Sequence, residues 1–417
     1  MIVYKFGGAS VSSAQAIENL AEIVSRCKDE LVIIISAFGK STNSLEAILE
    51  LWLENSHDTF IQLENLKKYH TDIIKDLFID DNHQIYNEFN QIFGLLETRL
   101  RNLPSGDYDF EYDQIVSYGE LFSTKIVSKY LNSRNIDNQW LDARSWLITD
   151  SNYREANVDL NQSAVDLRDQ ISRFPGRIFI TQGFIGGTKE GNTTTLGREG
   201  SDYSAAIATN LLSAEKLIVW KDVPGILTAD PIFFPEAEKL DEISYQEAIE
   251  LSFFGAKVIH PKTIKPLQNK NIPLYVKSFI DPQAPGTLIH KTDSAIGLRP
   301  ILIIKKQQVL VSLTPRDYSF VVEDCLSRIF AFFFKNKMKV NLLQNSAISF
   351  TICTDSRKTF ADRLLEEMAH DFRILYNEGL ELITIRHYTQ DAINRHTAGK
   401  EILVEQRSRS TVMYVVR

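Results

Sequence analysis

In the first part of the chain, short apolar runs alternate with segments in which apolar residues recur three or four positions apart. Residues 2–6 and 31–36 form runs typical of buried strands, whereas apolar residues recur three and four apart near residues 13–28. The glycine-rich segment GGAS, at residues 7–10, separates the first strand from this helix. The order strand, turn, helix and strand predicts a βαβ opening with two parallel strands.

Helical spacing continues over residues 44–110 without a strand pattern, so we predict a mostly helical excursion there. Strand-like runs return at residues 178–181 and 216–219, and each is followed by a turn that contains glycine. Strands that alternate with helices indicate an α/β domain built on a largely parallel sheet. We assign residues 1–290 to this domain.

The pattern changes near residue 300, where short antiparallel strands surround amphipathic helices. Residues 300–380 have the pattern of one complete unit, with strands at 309–313, 340–343 and 348–353 and helices at 324–335 and 358–369. Residues 381–417 contain strand-like runs at 382–387 and 411–416, a polar stretch between them and no final helix. We predict a second, trimmed unit there.

Composition narrows the class of protein. The chain has 417 residues, 44% hydrophobic and 24% charged, which suits two or three globular domains. No apolar run approaches the roughly 20 residues of a membrane span, and no export signal is expected at the start. The net charge of −8 argues against a nucleic-acid surface. Any site for anionic substrates must therefore concentrate its positive groups locally.

The cysteines are Cys27, Cys325 and Cys353. Their spacing fits neither a disulfide framework nor a zinc site. A reducing, cytoplasmic location is therefore expected.

Lys5 stands at the end of the first predicted strand and is followed by Gly7 and Gly8. Glycines allow backbone N–H groups to approach a phosphate before a helix begins, and a neighbouring lysine suits a triphosphate. Taken alone, the segment fits equally well a simple turn beside a surface cation.

A second polar cluster, GREGSDYS at residues 197–204, precedes an apolar run. Ser201 and Asp202 could be N-cap residues with no part in catalysis. That alternative does not account for Arg198, whose planar guanidinium suits recognition of a carboxylate. Asp202 could also position cations or N–H donors around a transferring phosphoryl group.

Three further segments carry weaker signals. Glu120, which follows Gly119, could bind the ammonium group of an amino acid or simply complement a helix dipole. Lys221 and Asp222 follow a buried strand, at the position where parallel sheets bind nucleotides. Lys257, near a glycine turn, is by itself typical of a solvated cation.

Together these segments resemble the aspartokinases of the amino acid kinase superfamily. The matching segments run from residue 2 to about residue 290: KFGGAS, VSYGELFS, FITQGFIGG, TTTLGREGSDYSAA, WKDVPGILTADP and FFGAKVIHPKT. The resemblance implies a three-layer αβα kinase domain with a mainly parallel sheet, followed by ferredoxin-like ACT modules of βαββαβ order. It also implies a homodimer that shares contacts through the ACT-like region.

The reaction implied by the resemblance is phosphoryl transfer from ATP to the β-carboxylate of L-aspartate. The products would be ADP and 4-phospho-L-aspartate, in the first step of lysine, threonine and methionine biosynthesis. A carboxylate oxygen would attack the γ-phosphorus in line, without a covalent enzyme intermediate. Mg²⁺ would arrive bound to ATP, so no protein metal site is expected.

The resemblance also implies three sets of site residues. The catalytic pair would be Lys5 and Asp202. Arg198 would bind the α-carboxylate of aspartate and Glu120 its ammonium group, and the full aspartate-binding set is Ser36, Thr42, Glu120, Phe184, Arg198 and Ser201. The ATP-binding set is Lys5, Gly7, Gly8, Lys221, Asp222, Leu227, Lys257 and Val258.

The sequence departs from the family pattern at three positions near these segments. Ala9 replaces a usual threonine, Glu199 a glycine and Ile232 a common arginine. Glu199 adds negative charge beside the expected phosphate site, and Ile232 removes a cation. Weaker ATP binding than in the family is therefore expected.

The C-terminal region departs further. In lysine-inhibited relatives, a turn glycine before the first helix and an acidic residue in the second strand help to bind the effector. Here the corresponding regions contain Val322, Glu323 and Asp324, and the uncharged Asn341 and Ala347. These residues offer less to a lysine ammonium group, so we expect lysine sensing to be lost.

Two other classes of function remain alternatives. Another amino acid kinase, for glutamate, acetylglutamate or uridylate, would share the glycine-rich segment. The Gly119-Glu120 pair, the GREGSD loop at residues 197–202 and the ACT-like region together favour aspartate kinase. A catalytically silent amino-acid sensor is disfavoured by the intact Lys5 and Asp202. A homoserine dehydrogenase unit is not expected, because no second Rossmann pattern follows residue 300.

The altered effector region predicts that kinase activity is insensitive to lysine. Turnover with ATP and aspartate should stay unchanged when lysine, or threonine in a parallel assay, is added at physiological concentrations. Clear inhibition by either amino acid would show that sensing is retained.

Overall fold

The computed structural model describes residues 1–80, 82–256, 259–292, 299–317, 319–357 and 360–417. Its internal contacts divide the chain into two compact units. The first consists of Met1–Ile226, Lys239–Ile249 and Val258–Asp293, and the second of Leu227–Glu238, Glu250–Lys257 and Ser294–Arg417. Each unit contains its own large sheet, and each is described by itself.

Strands and helices alternate up to residue 290. The strands are β1 Ile2–Phe6, β2 Leu31–Ile35, β3 Gln139–Leu141, β4 Ile178–Gln182, β5 Ile185–Gly187, β6 Thr193–Thr195, β7 Leu217–Lys221, β8 Glu242–Ser244, β9 Leu274–Ser278 and β10 Thr287–His290. The helices are α1 Ala14–Ser25, α2 Ser41–Leu53, α3 Asp58–Leu77, α4 Gln84–Arg101, α5 Tyr108–Val116, α6 Tyr118–Ser133, α7 Leu160–Ser172, α8 Gly200–Leu211, α9 Tyr245–Phe254 and α10 Pro261–Gln268. Short 3₁₀ helices cover Gly8–Val11 and Ala143–Ser145. The βαβ opening is confirmed.

The sheet of the first unit has the strand order β3-β4-β2-β1-β7-β9-β10-β8. All pairings from β3 to β9 are parallel, and β10 runs antiparallel to β9. Strands β1, β2 and β4 are buried along their whole length, as expected of central strands in a parallel sheet. The predicted largely parallel sheet is therefore confirmed.

One apolar core joins this sheet to the helices that follow β2. Phe6 and Ile33 of the strands cluster with Leu63 of α3, Phe93 of α4 and Phe122 of α6. Burial of these large side chains removes apolar surface from water, which is the main force that holds the layers together. The helical excursion is thus packed into the body of the first unit.

The carboxyl ends of four adjacent parallel strands, β1, β2, β4 and β7, lie at one edge of this sheet. Lys5 and Lys221 lie at the ends of β1 and β7, Ser36 follows β2, and Phe184 follows β4. Ligands of open parallel sheets bind at this edge, because the loops that leave the strands are free to diverge there.

The second unit is built on an antiparallel sheet of order β12-β13-β11-β14-β16-β15. Its elements are β11 Ile301–Pro315, α11 Glu323–Lys335, β12 Val340–Asn345, β13 Phe350–Asp355, α12 Phe360–Met368, β14 Phe372–Arg386, α13 Gln390–Thr397, β15 Ile402–Arg407 and β16 Thr411–Val416. Together with the first unit, this arrangement confirms the predicted fold class of an α/β kinase domain followed by an ACT-like region.

Two details of the second unit correct the sequence-based expectations. Strands β11 and β14 are not short, since each has 15 residues. They pair along their length across two register shifts, one between Lys305 and Gln308 and one between Gln308 and Leu310. The polar stretch before β16, for which no helix or strand was predicted, forms α13 and β15. One buried residue, Ile393, is enough to anchor α13, and β15 is an edge strand that needs few apolar residues.

No helix within the described parts of the chain is long and apolar enough to cross a membrane.

Candidate active site

A carboxylate between two lysines forms the centre of the site. Asp202, in the first turn of α8, lies with Oδ1 2.5 Å from Nζ of Lys5 and with Oδ2 3.5 Å from Nζ of Lys221. The two lysines come from neighbouring strands, because β1 pairs with β7. Only 9% of the Lys5 side chain and 4% of the Asp202 side chain are exposed, against 21% for Lys221.

The electrostatics of this cluster keep Asp202 ionised. Burial acts to raise the pKa of its carboxyl group, but the charges of Lys5 and then Lys221 outweigh burial and hold the pKa below its usual value. Two ammonium groups and one carboxylate leave a net positive charge at the edge of the sheet. Such a cluster can bind phosphate oxygens without a strong general electrostatic attraction from the rest of the chain.

The glycine-rich loop packs closely against the loop after β2. A Cβ atom on Gly8 would lie 3.0 Å from the carbonyl oxygens of both Ala37 and Gly39, and the Gly39 N–H donates to the Gly8 carbonyl. Gly7 is extended and precedes the 3₁₀ turn. Ala9 is exposed. The close approach explains why a side chain at residue 8 would disturb the loop.

Two neighbouring residues of helix α3, Tyr69 and His70, contact the glycine-rich loop and the loop after β2. The Tyr69 hydroxyl donates to the carbonyl of Ser12, 2.8 Å away, and it would contact any side chain at Gly39. The buried His70 lies 3.4 Å from the Ser41 hydroxyl at the start of α2, and burial lowers its pKa to about 4. His70 is therefore neutral near pH 7. Sequence reasoning missed both residues, because helical spacing alone does not indicate what a polar side chain contacts.

Glu120 lies in the first turn of α6 with its carboxyl group buried. Its Oε1 accepts a hydrogen bond from the Ala37 N–H at 3.2 Å, whereas Oε2 is buried and has no hydrogen-bond partner within the described ranges. Burial raises the pKa of Glu120 to about 8, although the Ala37 N–H and the charge of Lys5 oppose the shift. A buried polar atom without a partner is costly, so this oxygen can receive a donor from a ligand once the carboxyl group is ionised.

The loop before α8 presents Arg198 to solvent. Gly197 has φ 74° and Glu199 has φ 53°, so the chain makes two left-handed steps around Arg198. The Arg198 side chain is exposed, and no hydrogen bond or ion pair holds it in the portion of the chain that is described. Its guanidinium is therefore available to an external carboxylate.

The N-cap alternative for Ser201 and Asp202 is wrong. Helix α8 begins at Gly200 and its N-cap position is Glu199, so both residues lie inside the first turn. Ser201 instead packs on Gly183, whose Cβ would lie 2.6 Å from that of Ser201. Phe184, with φ 69°, packs on Gly200. The start of α8 is thus seated against the loop after β4.

The remaining predicted residues fall in several places. Ser36 and Thr42 are half-buried on either side of the loop that joins β2 to α2, and Asp222 is exposed after β7. Leu227 and Ile232 belong to the second unit. Lys257 and Val258 lie outside the described residues. The structure thus brings together Lys5, Asp202 and Lys221 directly and places Glu120 within the electrostatic influence of Lys5.

Comparison with known proteins places this chain in a family. The Amino acid kinase family profile matches residues 1–278. The chain is 32% identical over 411 residues to lysine-sensitive aspartokinase 3 of Escherichia coli K12, covering 96% of this chain and 90% of that protein. It is 30% identical over 357 residues to the aspartokinase of Chlamydia pneumoniae, covering 85% and 78%.

Solved structures agree with these sequence relationships. Escherichia coli aspartokinase III in complex with lysine and aspartate superposes with a TM-score of 0.85 at 29% identity, over 100% of this chain and 96% of that one. The same enzyme in complex with aspartate and ADP gives a TM-score of 0.83 at 28% identity, with the same coverage.

The parallel sheet, with its lysine-lined carboxyl edge, and the matched profile define a member of the amino acid kinase family. Within that family the chain belongs to the aspartokinases.

The charge cluster predicts that Lys5→Ala removes most turnover while the fold is retained. Loss of one well-placed cation near developing phosphoryl charge should lower kcat by roughly 100- to 1000-fold. ADP release in a coupled assay measures this, with Lys28→Ala, an exposed lysine beyond α1, as the matched control. Unchanged turnover in Lys5→Ala would remove Lys5 from the catalytic centre.

The left-handed backbone at Glu199 predicts that Glu199→Gly stabilises the fold and strengthens ATP binding. Glycine relieves a strain of about 1 kcal/mol and removes a buried carboxylate oxygen, Oε2, that has no hydrogen-bond partner in the described part of the structure. The melting temperature should rise and KM for ATP should fall. Ser213→Gly, with φ 50° after α8, should share only the thermal gain. An unchanged or higher KM for ATP in Glu199→Gly would contradict the expected charge effect.

Proposed function

We propose that this chain is an aspartate kinase, which transfers the γ-phosphoryl group of ATP to the β-carboxylate of L-aspartate. The observation that carries the proposal is the Lys5-Asp202-Lys221 cluster beside the unpaired Glu120 oxygen, since one side suits phosphates and the other an amino acid. The Escherichia coli relative binds aspartate and ADP, which supports the same pair of substrates here. The product, 4-phospho-L-aspartate, would enter the synthesis of lysine, threonine and methionine.

The mechanism requires no general base. The β-carboxylate of aspartate has an ordinary pKa of about 3.9, so it is already ionised near pH 7. One of its oxygens attacks the γ-phosphorus in line, a new P–O bond forms, and the bond to the bridging β,γ-oxygen breaks to release ADP. Catalysis then consists of positioning and charge stabilisation. Lys5 and Lys221 would stabilise the charge with their ammonium groups, and Asp202 would orient these two groups.

Selection of aspartate rests on the opposite side of the site. Arg198 would bind the α-carboxylate, and Glu120 would bind the ammonium group through its free oxygen. The half-buried Ser36 and Thr42, together with Phe184 and Ser201, would complete the pocket. This arrangement leaves the β-carboxylate as the end of the substrate that faces the phosphates.

ATP would be held by the Gly7-Gly8 loop and by Lys5, Lys221 and Asp222. Leu227, Lys257 and Val258 stay predictions as further ATP contacts. Mg²⁺ would neutralise phosphate charge when it arrives with ATP. The carboxylate of Asp202 is already paired with Lys5 and Lys221, so its charge is engaged by the protein's own cations.

Three broader features belong to the same proposal. The ACT-like second unit would mediate a homodimer, as the resemblance to aspartokinases implies. The three cysteines are free and buried, which suits a reducing cytoplasm. Domain limits of 1–290, 300–380 and 381–417 stay a proposal based on the sequence pattern.

A panel of phosphoryl acceptors tests the proposed function. Purified protein with ATP and Mg²⁺ should release ADP with L-aspartate, and at least about 100-fold less with L-glutamate, N-acetylglutamate or UMP, since a site built around fixed polar partners rejects poorly matched substrates strongly. Preference for any other acceptor would replace the proposal, and tight amino-acid binding without turnover would indicate a sensor.

The buried Glu120 predicts a pH-dependent KM for aspartate. Its pKa of about 8 leaves the carboxyl group protonated near pH 7, so binding of an ammonium group as an ion pair must release a proton. KM for aspartate should therefore fall by up to about tenfold per pH unit as pH rises towards 8, and then level off.

The pH dependence is measured at saturating ATP between pH 6.5 and 8.5, and Glu120→Gln provides the control, because an amide does not titrate. The variant should bind aspartate weakly and lose the slope. A flat profile in the unaltered protein would show that Glu120 does not receive the ammonium group as an ion.

A further inference from the structure

A buried carboxylate outside the predicted site ties two loops together. Asp113, in α5, is fully buried. Its Oδ1 accepts a hydrogen bond from the Thr195 hydroxyl at 2.6 Å, and its Oδ2 accepts from the backbone N–H groups of Thr195 at 2.9 Å and Arg154 at 3.0 Å. Donors therefore surround both oxygens, and such multiply bonded carboxylates hold backbone segments firmly.

The two backbone segments that Asp113 joins also bond to each other. The Ala156 N–H donates to the Thr195 carbonyl at 3.0 Å, and the hydroxyls of Thr149 and Thr194 are 2.7 Å apart. The loop at residues 149–156 thus lies along β6. Asp113 bonds to both segments where they meet, at Thr195 and Arg154. Thr195 is the last residue of β6 and lies three residues before Arg198 in the chain.

Gly197, the residue before Arg198, packs against the backbone of Arg154. A Cβ atom on Gly197 would lie 2.9 Å from the Arg154 carbonyl oxygen, and its φ of 74° requires glycine-like freedom. The backbone that immediately precedes Arg198 therefore rests on the Arg154 turn. Arg154 itself has φ 67°, a conformation that a non-glycine residue keeps only when its surroundings fix it.

Helix α5 is in turn fixed to α2, the helix that contains Thr42. The hydroxyls of Tyr108 and Tyr112 each donate to a glutamate of α2, Glu50 and Glu46, at 2.6 Å. Helix α5 therefore contacts both α2, at Glu46 and Glu50, and the segments that precede Arg198.

We propose that Asp113 is a positioning residue for aspartate recognition, which fixes the backbone at Thr195 and Arg154 so that Arg198 meets the α-carboxylate of the substrate. The inference rests on the proposed function, because it takes Arg198 as the group that binds that carboxylate. Asp113 does not touch the substrate and acts through the loop alone.

Kinetic constants for both substrates distinguish this role from a general contribution to folding. Asp113→Ala should raise KM for aspartate about tenfold or more and leave KM for ATP within about twofold, because loss of loop geometry misplaces only the guanidinium. Asp113→Asn should recover most of the loss, since its amide oxygen can accept from both N–H groups and its NH₂ can donate to the Thr195 hydroxyl.

The matched control is Asp109→Asn. Asp109 lies on the same helix and pairs with the Arg154 side chain at 3.0 Å, but it is exposed and makes no bond to the Arg154 backbone. Both KM values should stay within about twofold of the unaltered protein, as expected for an exposed ion pair.

A double-mutant cycle with Arg198→Ala provides the decisive comparison. Once the guanidinium is absent, Asp113→Ala should raise KM for aspartate by less than about twofold further. Full additivity of the two changes, or an equal rise in KM for ATP, would overturn the proposal. If Asp113→Ala does not fold, the same cycle is measured with Thr195→Val, which removes only the 2.6 Å hydroxyl bond.

Hydrogen exchange separates failure of this inference from failure of the proposed function. Peptides that cover residues 150–156 and 193–199 should exchange at least about tenfold faster in Asp113→Ala than in the unaltered protein, while the β1 peptide stays unchanged. Unchanged exchange in both loops would overturn the positioning role. Absence of aspartate-dependent ADP release from the unaltered protein would instead overturn the proposed function.

Discussion

The buried carboxylate of Asp202 between the ammonium groups of Lys5 and Lys221 is the interaction on which the rest of the site depends. An unpaired carboxylate at this depth would be very costly, and two cations offset that cost. The pairing requires the first turn of α8 to lie against the carboxyl ends of β1 and β7. The left-handed steps at Gly197 and Glu199 follow from this requirement, because the chain must turn sharply to enter the helix there.

This arrangement divides the site into two chemically different halves. The half around Lys5 and Lys221 carries net positive charge, which a chain of net charge −8 supplies only locally. The half around Glu120 is buried and keeps one carboxyl oxygen without a hydrogen-bond partner in the described structure. Under the proposed function, phosphates would lie in the positive half and the amino acid's ammonium group in the half around Glu120. No general base is needed in that proposal, because the β-carboxylate of aspartate is already ionised near pH 7.

Local patterns predicted the elements that build the site, but not every contact within it. Strand β1 matches its predicted limits, because four of its five residues are apolar and a glycine turn follows it. Lys5 and Asp202 were predicted from motifs, whereas the ion pair with Lys221 depends on the pairing of β1 with β7. Asp113 gave no signal, since a polar residue in a helix is usually solvated. Helix α13 was missed because its sequence is polar apart from a single buried isoleucine, Ile393.

The central claim is that the β-carboxylate of aspartate attacks ATP while Arg198 holds the α-carboxylate. Hydroxylamine converts an acyl phosphate to a hydroxamate, so trapping the product formed from ATP and L-aspartate shows by NMR which carboxyl group was phosphorylated. The account predicts aspartate β-hydroxamate, formed in proportion to ADP. Formation of the α-hydroxamate, or ADP release without any hydroxamate, would contradict it.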